Sequence, residues 1–177
     1  MKADHYYGST AKNYDAQRQG ATWDWEHEFV RANLGKAETV IDVPVGTGRF
    51  LPLYQEAGIE AVGLDVSADM LALASKKGYG DIRKGDILKL NIKADLAVVF
   101  RMMMWLKIDE CKTALNNLHK CVPRVLLSVQ LGKPKAGGTI VHPELDFMRL
   151  LDGWRITKDI DEPCKGGRYA LMELVRK

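Results

Sequence analysis

The sequence predicts an α/β fold built on a doubly wound, mostly parallel sheet, and three observations support this prediction. An apolar run at residues 39–43, typical of a strand buried on both faces, leads into a glycine-bearing turn at 45–48 and then into a helical pattern. A second apolar run at 61–64 closes on Asp65, so the order is strand, glycine turn, helix, strand and acid, as in one half of a nucleotide-binding fold. Two further apolar runs continue the alternation of strands and helices. These runs span residues 95–101 and 124–131.

The composition limits the class of protein. A chain of 177 residues with 46% hydrophobic residues suits one core, and we expect a single domain over residues 1–177. The net charge of +3 is mild and does not by itself indicate a nucleic-acid partner. Cys111, Cys121 and Cys164 form no C-x-x-C pair, which is typical of free thiols and argues against a metal site. No run resembles a membrane span or a signal-peptide core, so we expect a cytoplasmic protein.

Residues 1–37 precede the first strand and are expected to form a helical leader or lid. Helical patterns cover residues 9–17 and 21–34. In the second pattern, Trp23 and Val30 fall on one face of the helix. A helix with such an apolar face should pack on the domain.

The elements after the glycine turn follow from local signals. The first crossover helix has Pro52 in its first turn, where a lost N–H costs least, and it ends at Gly58. Ser67 is the expected N-cap of the next helix, over residues 68–77. A short strand at 81–87 follows.

The second half of the chain predicts one more helix and three more strands. Asp109 is expected to cap a helix over 110–121, and the strand at 124–131 follows it. The last two strand patterns, at 154–160 and 168–175, are separated by a turn that is too short for a helical crossover. They must therefore pair antiparallel.

Two regions near the predicted ligand edge carry candidate catalytic side chains. Ligands in such sheets bind beyond the carboxyl ends of the strands, so Arg101 and Trp105, which follow the strand at 95–101, are candidates for contact with the reacting groups. A stretch rich in methionine and tryptophan also suits core filling. His142 lies in a glycine- and lysine-bearing loop and is the histidine best placed to act as a base, although a loop histidine is also commonly only solvated.

The turn itself discriminates between adenosine cofactors. A dinucleotide fingerprint requires G-x-G-x-x-G, and the third glycine is replaced here by Leu51. Asp42, directly before the turn, would repel a pyrophosphate but suits a ligand with ammonium and sulfonium groups. Asp65 lies where its carboxylate can accept both hydroxyls of a ribose. These features favour an adenosine ligand other than a nicotinamide dinucleotide.

The segment Asp42-Val43-Pro44-Val45-Gly46-Thr47-Gly48 resembles the first motif, D-x-G-x-G-x-G, of the class I S-adenosylmethionine (SAM) methyltransferases, with Pro44 in the first glycine position. The resemblance implies a seven-stranded sheet of order 3-2-1-4-5-7-6, with the last strand antiparallel and helices on both faces. It also implies SAM as the cofactor and no metal.

The resemblance further implies roles for individual residues. A Y-D-x-x-R leader segment would place Tyr14 on the ligand and Arg18 on its carboxylate. Asp86 would bind the adenine amino group, and Met70 and Ile87 would contact the ring. The expected cofactor-binding residues are Tyr14, Arg18, Asp42, Pro44, Gly46, Gly48, Asp65, Val66, Met70, Asp86, Ile87 and Arg101.

The resemblance implies methyl transfer from SAM, and the sequence favours a small-molecule acceptor. A sulfonium methyl group is already activated, so positioning matters more than a triad. The N-P-P-Y tetrapeptide of amino-methylating DNA enzymes is absent at residues 100–103. An anionic acceptor is favoured by four cationic residues expected near the mouth: Arg18, Arg101, Lys133 and Lys135.

Other functions remain open at this point. They are methylation of nucleic acid or protein, and SAM binding without transferase activity. A nicotinamide-dependent reductase is disfavoured by Asp42 and Leu51.

Overall fold

A computed structural model describes residues 21–133, 139–164 and 166–177 of the chain. In these residues a seven-stranded sheet is flanked by five α-helices. The strands are β1 (Thr39–Asp42), β2 (Glu60–Asp65), β3 (Asp81–Lys84), β4 (Leu96–Val99), β5 (Arg124–Gly132), β6 (Trp154–Cys164) and β7 (Gly167–Arg176). The helices are α1 (Ala21–Asn33), α2 (Leu51–Glu56), α3 (Ala68–Lys76), α4 (Ile108–Cys121) and α5 (Glu144–Arg149).

The strand order is β3-β2-β1-β4-β5-β7-β6, which confirms the predicted order. Strands β1 to β5 pair parallel to one another, and β7 lies between β5 and β6 and is antiparallel to both. The carboxyl ends of β1, β2 and β4 therefore meet at one edge of the sheet, and this edge carries the glycine turn.

Both faces of the sheet are covered, which explains why its central strands are apolar without interruption. Successive side chains of a strand point to opposite faces, so Val40 and Val98 belong to one core cluster and Ile41 and Ala97 to the other. Helices α1, α2 and α3 pack on the first face, and α4 and α5 pack on the second. The helices on both faces confirm the doubly wound architecture.

Some element boundaries differ from the predicted ones. Helix α4 begins at Ile108 after an extended Lys107, and Asp109 lies in the first turn instead of at the cap. The N–H of Lys107 is satisfied by the Glu110 carboxylate at 2.7 Å, which replaces the predicted cap. Strand β6 continues to Cys164, because its pairing with β7 extends to the end of the hairpin.

The predicted helix at residues 9–17 lies outside the described residues. No helix in the described ranges is both long and apolar enough to cross a membrane. The division into one domain with a leader at 1–37 stays a prediction.

Candidate functional site

The glycine turn after β1 forms the floor of the site. The N–H of Val45 donates to the Leu64 carbonyl at 2.8 Å, which ties the turn to β2. Gly46 and Gly48 both have positive φ, 55° and 76°, a region that favours glycine. A Cβ on Gly46 would meet open space, whereas one on Gly48 would lie 3.0 Å from the Tyr79 ring. Gly46 thus faces the ligand side of the turn, and Gly48 is required for packing.

Asp65, at the carboxyl end of β2, holds this turn in place. One carboxylate oxygen accepts from the Gly46 N–H at 3.0 Å and the other accepts from the Ser67 N–H at 2.9 Å. Burial raises the pKa of the Asp65 carboxyl, and the backbone N–H donors oppose that shift. The side chain lines the cavity above the turn and is available to a ligand there.

A cavity of roughly 780 Å³, including its open mouth, lies above the turn. The predicted residues that line it are Pro44, Gly46, Asp65, Val66, Met70, Ile87, Arg101 and Trp105. The predicted residues in the described ranges that do not line it are Asp42, Gly48, Asp86, Lys133 and His142. Tyr14, Arg18 and Lys135 lie outside the described residues.

Asp42 faces away from the cavity and into the protein. Its side chain is 2% exposed, and its carboxylate accepts from the Tyr79 hydroxyl at 3.2 Å. Burial raises the pKa of Asp42 to about 7, against the opposing effects of the Arg49 charge and the tyrosine hydrogen bonds. This orientation does not support the predicted direct contact between Asp42 and a cationic ligand.

The side chain of Asp86 is hydrogen-bonded to the backbone that directly follows it. Its carboxylate accepts from the Leu88 N–H at 2.9 Å and caps the 3₁₀ turn Ile87–Lys89. The next residue, Ile87, is buried and reaches the cavity wall. Of the predicted adenine-binding pair, the structure therefore brings only Ile87 to the cavity.

His142, the histidine nominated as a base, is not on an exposed mouth loop. It is 1% exposed, and its ring Nε2 lies 2.8 Å from the Met103 carbonyl and 3.6 Å from the Cys111 sulfur. Because a carbonyl only accepts, Nε2 carries a proton in this contact. The residue is drawn inward because its backbone bridges to β5 at Leu131.

Arg101 and Trp105 flank the far wall of the cavity. Arg101 has φ +58°, which is unusual for a residue other than glycine, and its N–H donates to the Ser128 hydroxyl at 2.7 Å. Between these two residues, Met102 lines the cavity and Met103 is buried in the core. The alternative of core filling therefore applies to Met103 and in part to Met102, which is partly buried against the same core cluster.

Two charged residues of the site were not among the predicted ones. Arg49 lines the cavity and its guanidinium lies 2.5 Å from the Glu26 carboxylate; Glu26 also accepts from Arg101 Nε at 3.0 Å. A signal for Glu26 exists in the sequence, because it shares a helix face with Trp23 and Val30 at spacings of three and four. A carboxylate on an apolar face needs a buried partner.

Residues 40–124 match a family model described as a methyltransferase domain. The chain is 34% identical over 90 residues to the dTDP-3-amino-3,6-dideoxy-alpha-D-glucopyranose N,N-dimethyltransferase of Streptomyces fradiae, covering 44% of this chain and 35% of that protein. It is 31% identical over 71 residues to the putative methyltransferase YqeM of Bacillus subtilis, covering 40% of this chain and 29% of that protein. The chain thus spans about a third of the length of these curated relatives.

The fold is similar to those of solved methyltransferases. Magnesium protoporphyrin IX methyltransferase from Synechocystis, solved with bound S-adenosylhomocysteine (SAH), superposes with a TM-score of 0.75 at 21% identity, covering 98% of this chain and 97% of that one. The 1,6-didemethyltoxoflavin-N1-methyltransferase of Burkholderia thailandensis, also solved with SAH, superposes with a TM-score of 0.70 at 19% identity, covering 100% of this chain and 92% of that one.

Proposed function

Since residues 40–124 of this chain belong to the methyltransferase-domain family, we propose that the protein transfers a methyl group from SAM to a small-molecule acceptor. The observation that carries the proposal is the cavity at the carboxyl ends of β1, β2 and β4, with Asp65 and the open side of Gly46 in its wall. Adenosine cofactors bind at this place in open α/β sheets.

The residues of the cavity fit the parts of SAM. Asp65 is placed to accept the ribose hydroxyls while it holds the turn, because each carboxylate oxygen can accept more than one hydrogen bond. Met70 and Ile87 offer apolar surface to the adenine. Bound SAM supplies an activated methyl group on a sulfonium. The work left to the chain is to orient the acceptor and to exclude water.

The wall of the cavity supports a small acceptor that carries an anionic group. Most residues of the wall are apolar, and Phe50, Phe100 and Trp105 contribute rings. The ionisable groups of that wall, in the parts of the chain that the structure describes, are Asp65, Arg49 and Arg101. With Asp65 assigned to the ribose, the acceptor would meet two guanidiniums. The names of the similar proteins, which refer to an amino sugar, a porphyrin and a toxoflavin precursor, support the small-molecule class.

Two further expectations are part of the proposal. We propose that residues 1–37 act as a lid, which is supported by α1, whose Glu26 reaches the arginines of the cavity wall. We also propose a cytoplasmic location, which is supported by the free thiols Cys111, Cys121 and Cys164.

The choice of cofactor is tested by thermal melting with added ligands. SAM or SAH at a hundred times its dissociation constant should stabilise the protein by about 2.7 kcal/mol. NAD at the same concentration should leave the melting temperature unchanged, since the turn lacks the third glycine of a dinucleotide site. A shift with NAD and none with SAM or SAH would refute the proposal. A shift with SAH, followed by turnover with small acceptors, would separate a transferase from a protein that only binds SAM.

The nature of the acceptor is tested first against nucleic acid. A net charge of +3, from 26 basic and 23 acidic residues, leaves little excess positive charge to attract phosphates. We expect negligible binding to labelled duplex DNA or RNA at physiological salt, measured by fluorescence anisotropy. Submicromolar binding that weakens steeply between about 50 and 200 mM salt would favour the nucleic-acid alternative.

A further inference from the structure

A carboxylate with no exposed surface lies between the two guanidiniums of the cavity wall. Glu26 of α1 is 0% exposed. Its carboxylate lies 2.5 Å from Arg49, accepts from Arg101 Nε at 3.0 and 3.2 Å, and accepts from the Tyr169 hydroxyl. Removing a carboxylate from water is costly unless it is paired and hydrogen-bonded. The four side chains therefore form one interdependent cluster.

Arg49 is held in place by aromatic rings as well as by Glu26. Its guanidinium carbon lies 4.2 Å from the centroid of the Phe50 ring, 4.8 Å from that of Trp23 and 5.9 Å from that of Phe100. Such cation–π contacts fix the plane of a guanidinium and keep it charged in apolar surroundings. The position of Arg49 is thus set before any ligand arrives.

Arg101 is held in a backbone conformation that costs free energy. A residue other than glycine in the left-handed region is strained, and such strain persists where the surroundings enforce it, often at ligand sites. Here the Ser128 hydroxyl holds the Arg101 N–H, and Glu26 holds its Nε. The strain directs the side chain into the cluster at the cavity wall.

The arrangement has an inner side and a ligand side. Arg49 and Arg101 line the cavity, whereas Glu26 does not, so the carboxylate lies behind the guanidiniums. The cluster of Arg49, Arg101 and Glu26 carries one net positive charge, and Asp65, the other ionisable group of the cavity wall, is assigned to the ribose. A guanidinium presents several donors in one plane, which suits a carboxylate better than it suits a neutral group.

We propose that Arg49 and Arg101 form a receptor for a ligand carboxylate, and that Glu26 is its built-in counter-ion. Glu26 keeps the two guanidiniums ordered and, by cancelling one positive charge, weakens the hold of the receptor on the ligand. The ligand carboxylate comes either from the amino-acid end of the cofactor or from the acceptor. This inference rests on the proposed function for the identity of the ligands.

The test compares ligands with and without a carboxylate in two variants of opposite charge change. SAH is compared with 5′-methylthioadenosine, which lacks the amino-acid end, and benzoate is compared with benzamide on the SAH-bound protein. Arg101→Met should lower the affinity for the carboxylate-bearing ligand at least about tenfold. The affinity for the matched ligand without a carboxylate should not change. Glu26→Gln should raise the affinity for the carboxylate-bearing ligand by roughly three- to tenfold, because a nearby negative charge is removed. Only the pair that supplies the carboxylate should respond, and this identifies its source.

Matched controls come from the exposed side of the same helix. Glu28→Gln and Arg31→Met make the same changes of charge on α1, outside the cavity wall, and should leave both comparisons unchanged. A purely structural cluster would weaken all four ligands in both variants, and that result would overturn the inference. The inference would also be overturned if both members of each ligand pair changed equally in affinity. It would be overturned as well if Arg101→Met changed the affinity for no ligand in either pair.

The two levels of proposal fail in different ways. Wild-type protein that binds neither SAH nor 5′-methylthioadenosine contradicts the proposed function. Wild-type protein that binds both, with no carboxylate response in the variants, contradicts only the receptor. If Glu26→Gln does not fold, which circular dichroism would reveal, the Arg101→Met comparison decides alone.

Discussion

Asp65→Ala should lower the affinity for SAM at least about a hundredfold. The carboxylate is placed to accept ribose hydroxyls, and each charge-assisted hydrogen bond contributes about 1.5–3 kcal/mol. The structure adds a second reason, because Asp65 also accepts the N–H groups of Gly46 and Ser67 and so holds the turn on which the ligand lies. Isothermal titration calorimetry with SAM and SAH measures the effect.

Asp69→Ala is the matched control for this prediction. Asp69 lies four residues along the chain, in the exposed first turn of α3, and does not line the cavity. Its replacement should leave the affinity for SAM unchanged within about twofold, since a charge in the first turn contributes mainly to the helix. An unchanged affinity in Asp65→Ala would refute the ribose assignment.

Asp42→Asn should stabilise the protein at alkaline pH by about 4 kcal/mol. The pKa of Asp42 is raised by burial to about 7 in the folded state, above its usual value near 4 in the unfolded chain. The folded state therefore binds more protons than the unfolded state between these two values, and the free energy of unfolding falls as the pH rises through this window. The contribution is complete below about pH 4 and is lost above about pH 7. Asparagine cannot ionise and keeps the contact with Tyr79.

The measurement is urea unfolding of wild type and variant between about pH 4.5 and pH 8.5. The difference in stability should grow with pH and correspond to a rise in melting temperature of about 8–16 °C at pH 8. Comparison with wild type cancels the contributions of other groups, such as Asp65, whose pKa is also raised. Asp109→Asn, on the exposed first turn of α4, is the control and should follow the wild-type pH dependence. A difference that does not depend on pH would contradict the buried, protonated Asp42.

Much of the fold and of the adenosine end of the site follows from local patterns. The apolar runs, the glycine turn and the acid after β2 are adjacent in the sequence, so their geometry relative to one another is set by a few residues of backbone. Met70 and Ile87 could be assigned in the same way, because each follows the end of a strand whose edge is known. The resemblance to class I methyltransferases rests on these same segments, and the methyltransferase-domain model matches residues 40–124, which include them.

Side-chain direction was less predictable. Asp42 and Asp86 both stand next to a turn in the sequence, yet Asp42 points inward to Tyr79 and Asp86 caps its own 3₁₀ turn. The choice between ligand and protein partners depends on neighbours that are 37 residues away in the first case and two in the second. The predicted loop position of His142 is wrong for a related reason. Its backbone pairs with β5 at Leu131, and this pairing places the ring in the core.

The sequence by itself determined the order of strands and helices, the glycine turn and the position of Asp65, because these depend on residue periodicity and on contacts between neighbours along the chain. Only the tertiary structure decided the polar cluster of the cavity wall. Glu26 and Arg101 are 75 residues apart, and Glu26 and Tyr169 are 143 apart. No periodicity connects such residues. They meet because the packing of α1 on the sheet buries Glu26, and a buried carboxylate must find its counter-ions wherever the fold brings them.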